Sequence, residues 1–121
     1  MATLKPEVLA VLEGTCSNVS YQYPASWEVL PAISYREADN RNAGLADTRE
    51  HITELAYVID FWGVSQGQVD TLYETVNAAL QDLNFVREFA YDLRDLDSSI
   101  RHKTTRYRAY LGVDNRIYQH P

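Results

Sequence analysis

A chain of 121 residues, 45% hydrophobic and 23% charged, is long enough for a single moderate core and too apolar for a disordered tail. Its formal charge of −6 argues against general DNA binding, whose affinity comes mainly from neutralised phosphates. The lone cysteine, Cys16, excludes an internal disulfide and suits a reducing cytoplasm.

One domain is therefore expected over residues 1–121. "LKPEVLAVLEG" predicts its first element, a short N-terminal helix. Pro6 lies where a first turn tolerates it, Leu4, Val8, Val11 and Leu12 recur at helical spacing, and Gly14 closes the run. Charged residues break this stretch too often for a secretory signal or a membrane span. "NVSYQYP" predicts a short strand ended by Pro24, with Tyr21 and Tyr23 on one face. In "SWEVLPAISYREA", Pro31 should begin a strand or lie on an edge, because it cannot donate to a ladder.

Residues 40–48 then read as a long, polar, flexible connection, with Gly44 near its middle. Two adjacent antiparallel strands need only a two-residue turn, so the extra length asks for a purpose. "EHITELAYVIDFWG" is the clearest strand. Leu55, Tyr57, Ile59 and Phe61 fall on one face; Glu54, Ala56, Val58, Asp60 and Trp62 fall on the other. The period then changes. Val69, Leu72, Tyr73, Val76, Ala79, Leu80 and Leu83 line one face of a helix, and Ser65 with Gln68 makes a capping-box pattern at its start.

Alternation returns in "FVREFAYDLRD", with Phe85, Phe89, Tyr91 and Leu93 on one face and Arg87 interrupting it. The last predicted strand, "HKTTRYRAYLGVD", puts Thr105, Tyr107, Ala109, Leu111 and Val113 on one side. His102, Thr104, Arg106, Arg108 and Tyr110 lie on the other. This order of elements implies an α+β fold: a mostly antiparallel mixed sheet with an N-terminal helix and one central amphipathic helix packed on one face.

Chemistry is sparse by comparison. His51, His102 and His120 have no second ligand type at metal spacing, and no CxxC, HExxH, GxGxxG or GxxxxGK occurs. "WGVSQGQ" lacks the G-x-S-x-G spacing of a nucleophile elbow, and Ser65 is better used as a helix cap. Asp92, Asp95 and Asp97 are unevenly spaced and present no defined carboxylate pair. No metal, cofactor or catalytic set is expected.

Charge and aromatic content point instead to contacts between proteins. Residues 1–60 carry four basic and nine acidic side chains, residues 61–121 seven and eight. Within the second half, Arg106 and Arg108 share one strand face. They fit either solvated surface or an acidic protein partner, and a copy of the chain supplies many acids. Nine tyrosines and two tryptophans are numerous for this length. Tyr21, Tyr23, Trp62 and Tyr110 sit on the less apolar faces of their strands, as interface aromatics do.

From about Tyr21 to Tyr118 the pattern resembles the tail terminators of long-tailed phages, the head-to-tail joining or tail completion proteins. The resemblance lies in "YPASWEVLPAISY", in the polar connection, in "ELAYVIDFWGVSQGQVDTLYETVNAAL", and in the strand pair that ends at "RIY". It implies a structural virion protein with no catalytic role. Such a protein forms a homo-hexameric ring at the head-proximal end of the tail, stops tube polymerisation and docks to the head connector or head completion protein. It is made in the host cytoplasm, without a membrane or a sequence-specific nucleic acid as partner.

On that reading residues 40–48 are an arm toward a neighbour. The expected assembly surface is Tyr21, Tyr23, Asn40, Arg41, Asn42, Gly44, Asp47, Trp62, Arg106, Arg108 and Tyr110. Two rival readings stand beside it. One is a head completion or connector-adaptor protein, a class that tends to be mainly helical. The other is a small ligand-binding domain or enzyme, which would need convergent polar groups that the sequence does not reveal.

Overall fold

The computed structural model describes residues 3–24, 29–46, 49–93 and 99–120. Two helices and six strands follow in the order α1 (Lys5–Glu13), β1 (Val19–Tyr21), β2 (Ala32–Ala46), β3 (Arg49–Gly63), α2 (Gln66–Asp82), β4 (Val86–Leu93), β5 (Arg101–Gly112) and β6 (Ile117–Tyr118). The sheet runs β1-β2-β3-β5-β4, with β6 paired to β5 beyond the end of β4. Only β1 and β2 are parallel; every other pairing is antiparallel. The fold is α+β, as the sequence implies.

Both helices cover the same face. Leu4, Val8 and Leu12 of the α1 region and Val69, Leu72, Val76 and Leu80 of α2 meet Ile33, Tyr35, Leu55, Tyr57, Ile59, Phe61, Tyr107 and Ala109 of the sheet. Burying a side chain of this kind contributes roughly 1.5–3 kcal/mol, so this layer holds the fold together. The helix termini follow their residues. Ser65 Oγ accepts from the Gln68 backbone N–H at 3.1 Å, while Gln68 Oε1 accepts from Val64 N–H, one residue earlier than the usual reciprocal partner. Asn84 takes the left-handed conformation (φ 70°) just beyond α2, and Phe85 N–H returns to the Leu80 carbonyl. Gly63 is required where β3 meets α2, since a Cβ there would lie 2.8 Å from Val69 Cγ2.

Four sequence expectations need correction. Residues 40–46 are not a flexible connection: β2 continues through Ala46, and its partner β3 starts at Arg49. Ladder bonds join backbone to backbone, so polar side chains do not prevent them. Alternation marks a strand only where one face is covered, and Asn40, Arg41 and Asn42 are exposed on both faces. The ladder shifts register after Glu37, after Asn42 and again after Gly44. Asp47 lies outside the described residues.

In β4, a shift between Arg87 and Phe89 makes Glu88 the extra residue of a bulge. Phe85 therefore stays in the core, while Phe89, Tyr91 and Leu93 move to the face without helices. Arg87 moves to the helix side, where it donates to the Tyr73 hydroxyl. Tyr21 and Tyr23 do not share a strand face, because β1 ends at Tyr21 and Gln22 turns the chain with φ 73°. Val113 lies past β5 in a turn, and Leu83 caps α2 and stays exposed.

Candidate functional site

Strand parity sorts the polar residues. Trp62, Asp60, Val58, Ala56 and Glu54 of β3 face away from the helices, opposite His102, Thr104, Arg106, Arg108 and Tyr110 of β5. On this helix-free face a chain of polar contacts crosses four strands. Glu88 of β4 accepts from Arg106 Nε at 2.9 Å and from Arg108 Nη1 at 3.2 Å. The Arg108 guanidinium lies 5.6 Å from the ring centre of Tyr110, whose hydroxyl donates to Glu54 Oε1 at 2.9 Å. Glu54 Oε2 then accepts from Arg41 Nε at 2.5 Å, and Asp39 lies 3.1 Å from the same nitrogen.

Arg41, Arg106, Arg108 and Tyr110 of the expected surface are thus joined in one network. The Arg41 hydrogen bond holds the Glu54 carboxyl below its ordinary range. Arg106 and Arg108 already have an acidic partner in Glu88 of their own chain. Tyr110 is 6% exposed, so it acts as a buried strut rather than an exposed contact.

The remaining expected residues lie apart. Trp62 stacks on His102 with ring centres 3.5 Å apart, and His102 Nε2 is 3.0 Å from Asp60 Oδ1. Eight residues along β3 separate Trp62 from Glu54, about 27 Å at strand rise. Asn40, Asn42 and Gly44 lie in the outer part of the β2–β3 hairpin. Because β5 ends at Gly112, opposite Ile52, the ladder from Gly44 to Arg49 runs past the end of β5. Tyr21 and Tyr23 lie at the opposite edge of the sheet from β4. Tyr21 makes an edge-on contact with Tyr35, and Tyr23 is 77% exposed.

Two other places could in principle hold chemistry. Lys103 Nζ lies 3.1 Å from Asp92 and 3.3 Å from Asp70; burial opposes its charge, but the two carboxylates outweigh it and raise its pKa. Asp95 and Asp97 are outside the described residues. An open groove of about 630 Å³ between the end of α1 and the start of α2 is lined by Thr15, Gln68, Thr71 and Thr75, with Pro31 and Leu72. It offers hydroxyls and an amide rather than convergent titratable groups. Among the described residues no cluster of three or more His, Cys, Asp or Glu could hold a metal ion. No helix is long and apolar enough to cross a membrane.

A family model described as "Tail completion protein gp17" matches residues 2–112. The chain belongs to this family. No curated protein matches it. Tail completion proteins of this family are structural phage proteins, so the chain is a bacteriophage tail component whose role is structural and involves other tail or head proteins. The family match and the sequence resemblance overlap across nearly the whole fold. Sequence reasoning missed Glu88, which pairs with both arginines, and the exposed row Phe89, Tyr91 and Leu93. The one available hint was Arg87, which broke an otherwise apolar face.

Proposed function

We propose that this chain caps the phage tail tube, stops its polymerisation and joins the tail to the head connector as a homo-hexameric ring, without catalytic activity. The observation that carries this reading is membership of the tail completion family over residues 2–112. The sheet-dominated build supports a terminator over a mainly helical connector adaptor. On this reading the outer part of the β2–β3 hairpin is the arm that reaches a neighbouring subunit or ring partner. A polar hairpin tip beyond the helix-covered core is suited to that use, because it contributes little to the core.

Electron microscopy of particles assembled without the chain tests the reading. Overlong tubes, or tails that fail to attach to heads, are expected; tails of normal length joined to heads would overturn it. The arm is tested separately by replacing residues 43–52 with Asn-Gly across the Asn42/Thr53 pair. The isolated protein should still fold while tail joining fails, and normal joining would exclude an arm.

A further inference from the structure

We infer that the two ends of the sheet are complementary docking surfaces for a second copy of this chain, the β4 end of one copy seating on the β1 end of the next. The inference deepens the ring reading and rests on it for its biological setting. Its physical basis is separate.

The exposed large apolar side chains fall mainly at two places among the described residues. At the β1 end are Tyr21, Tyr23 and Val29; at the β4 end are Phe89, Tyr91 and Leu93. Strand order β1-β2-β3-β5-β4 puts four strand spacings between them, about 19 Å. A contact that joins copies in series needs two different surfaces on one subunit, and these two differ in residues and position. Both are rich in the aromatics that anchor protein interfaces.

Charge follows the same axis. Residues 1–60, which build α1, β1, β2 and most of β3, carry four basic and nine acidic side chains, net −5. Residues 83–121, which build β4, β5 and β6, carry seven basic and five acidic side chains, net +2. The chain is therefore polarised along its strand order, acidic at the β1 side and basic at the β4 side. Copies that stack in series bring opposite signs together, whereas two β1 ends or two β4 ends would repel. Phe89, Tyr91 and Leu93 lie on the helix-free face, while Tyr21 lies on the helix side by its register with Tyr35. Consecutive copies accordingly overlap like tiles instead of extending one flat sheet.

Tyr23→Glu and Tyr91→Glu each spoil one end and leave the other intact. Both positions are solvent-exposed, and thermal unfolding verifies that each variant folds. Leu93→Glu replaces Tyr91→Glu if the latter does not fold. The full chain is followed by mass measurement across concentration and salt.

Wild type should self-associate, more strongly at low salt, and each variant alone should associate about tenfold or more weakly. An equal mixture of the two variants should form pairs and stop there, because one good contact remains. The inference is overturned by a wild-type chain that stays monomeric up to its solubility limit. It is also overturned by a variant that assembles like wild type, or by a mixture that stays monomeric. Open chains made through these ends would refute the closed six-membered ring and keep the inference. A six-membered ring insensitive to both variants would keep the ring and refute the inference.

Discussion

Tyr57 is fully buried, and its hydroxyl joins the start of α1 to the sheet. It accepts from the Leu4 backbone N–H at 2.8 Å and donates to Glu37 Oε2 at 2.8 Å, while Thr3 Oγ1 donates to the same carboxylate oxygen at 2.6 Å. Burial, the largest influence, pushes the Tyr57 pKa up, so the hydroxyl keeps its proton and remains a donor. Tyr57→Phe removes one oxygen and leaves the ring. A hydrogen bond to a carboxylate contributes roughly 1.5–3 kcal/mol, and a buried Leu4 N–H left without a partner costs about 1–3 kcal/mol. With partial relaxation of the first helical turn, a loss of about 3 kcal/mol is expected, or about 10 °C in Tm for a chain of this length.

The sign of the pH dependence follows from Glu37. Burial raises its carboxyl pKa, but hydrogen bonds from Thr3, Tyr57 and Asn40 together outweigh burial and leave it below its ordinary value. A carboxyl depressed in this way contributes stability in full above the unfolded-state pKa of about 4.3, and loses it as pH falls through the lower folded value. Removing the Tyr57 bond weakens that contribution. The deficit of the variant against wild type should thus be largest near neutral pH and narrow below about pH 4. Urea unfolding followed by circular dichroism, repeated from neutral to acid pH, measures it. A neutral-pH deficit under about 1 kcal/mol, or one that does not narrow in acid, would refute the reasoning.

Ser65→Ala removes the α2 cap and should cost about 1 kcal/mol in thermal unfolding, with the fold retained. Gly63→Ala forces a Cβ to within 2.8 Å of Val69 Cγ2 and should cost about 1–3 kcal/mol by the same measurement. Deleting Glu88 removes the bulge and inverts one part of β4 against the other, so a loss of about 3 kcal/mol or more is expected. Glu88→Gln keeps the bulge and breaks ion pairs that are about a third exposed; unfolding should show under about 1 kcal/mol. Reversing Arg106 and Arg108 together to Glu should leave circular dichroism unchanged and weaken tail joining in a salt-dependent way; joining that is unaltered at low salt would return both to ordinary surface.

Local periodicity was enough to place α2, with its Ser65 start, and the two faces of β3, because 3.6-residue and two-residue repeats are written in consecutive residues. The same repeats placed α1 and β5 and the side of the sheet that the helices cover. The hairpin beyond Glu37 was not legible: its ladder depends on backbone partners in β3, and no covered face imposes alternation on Asn40, Arg41 and Asn42. The bulge at Glu88 was hidden as well, since one unpaired residue has meaning only against the register of β5. That single residue decides that Phe89, Tyr91 and Leu93 face outward and Phe85 inward. Likewise, composition showed that Arg106, Arg108, Arg41 and Tyr110 existed, but pairing them through Glu88 and Glu54 required four strands to be set side by side. The sequence by itself determined which segments alternate and how; strand order and register, which depend on contacts between residues far apart in the chain, decided what each face meets.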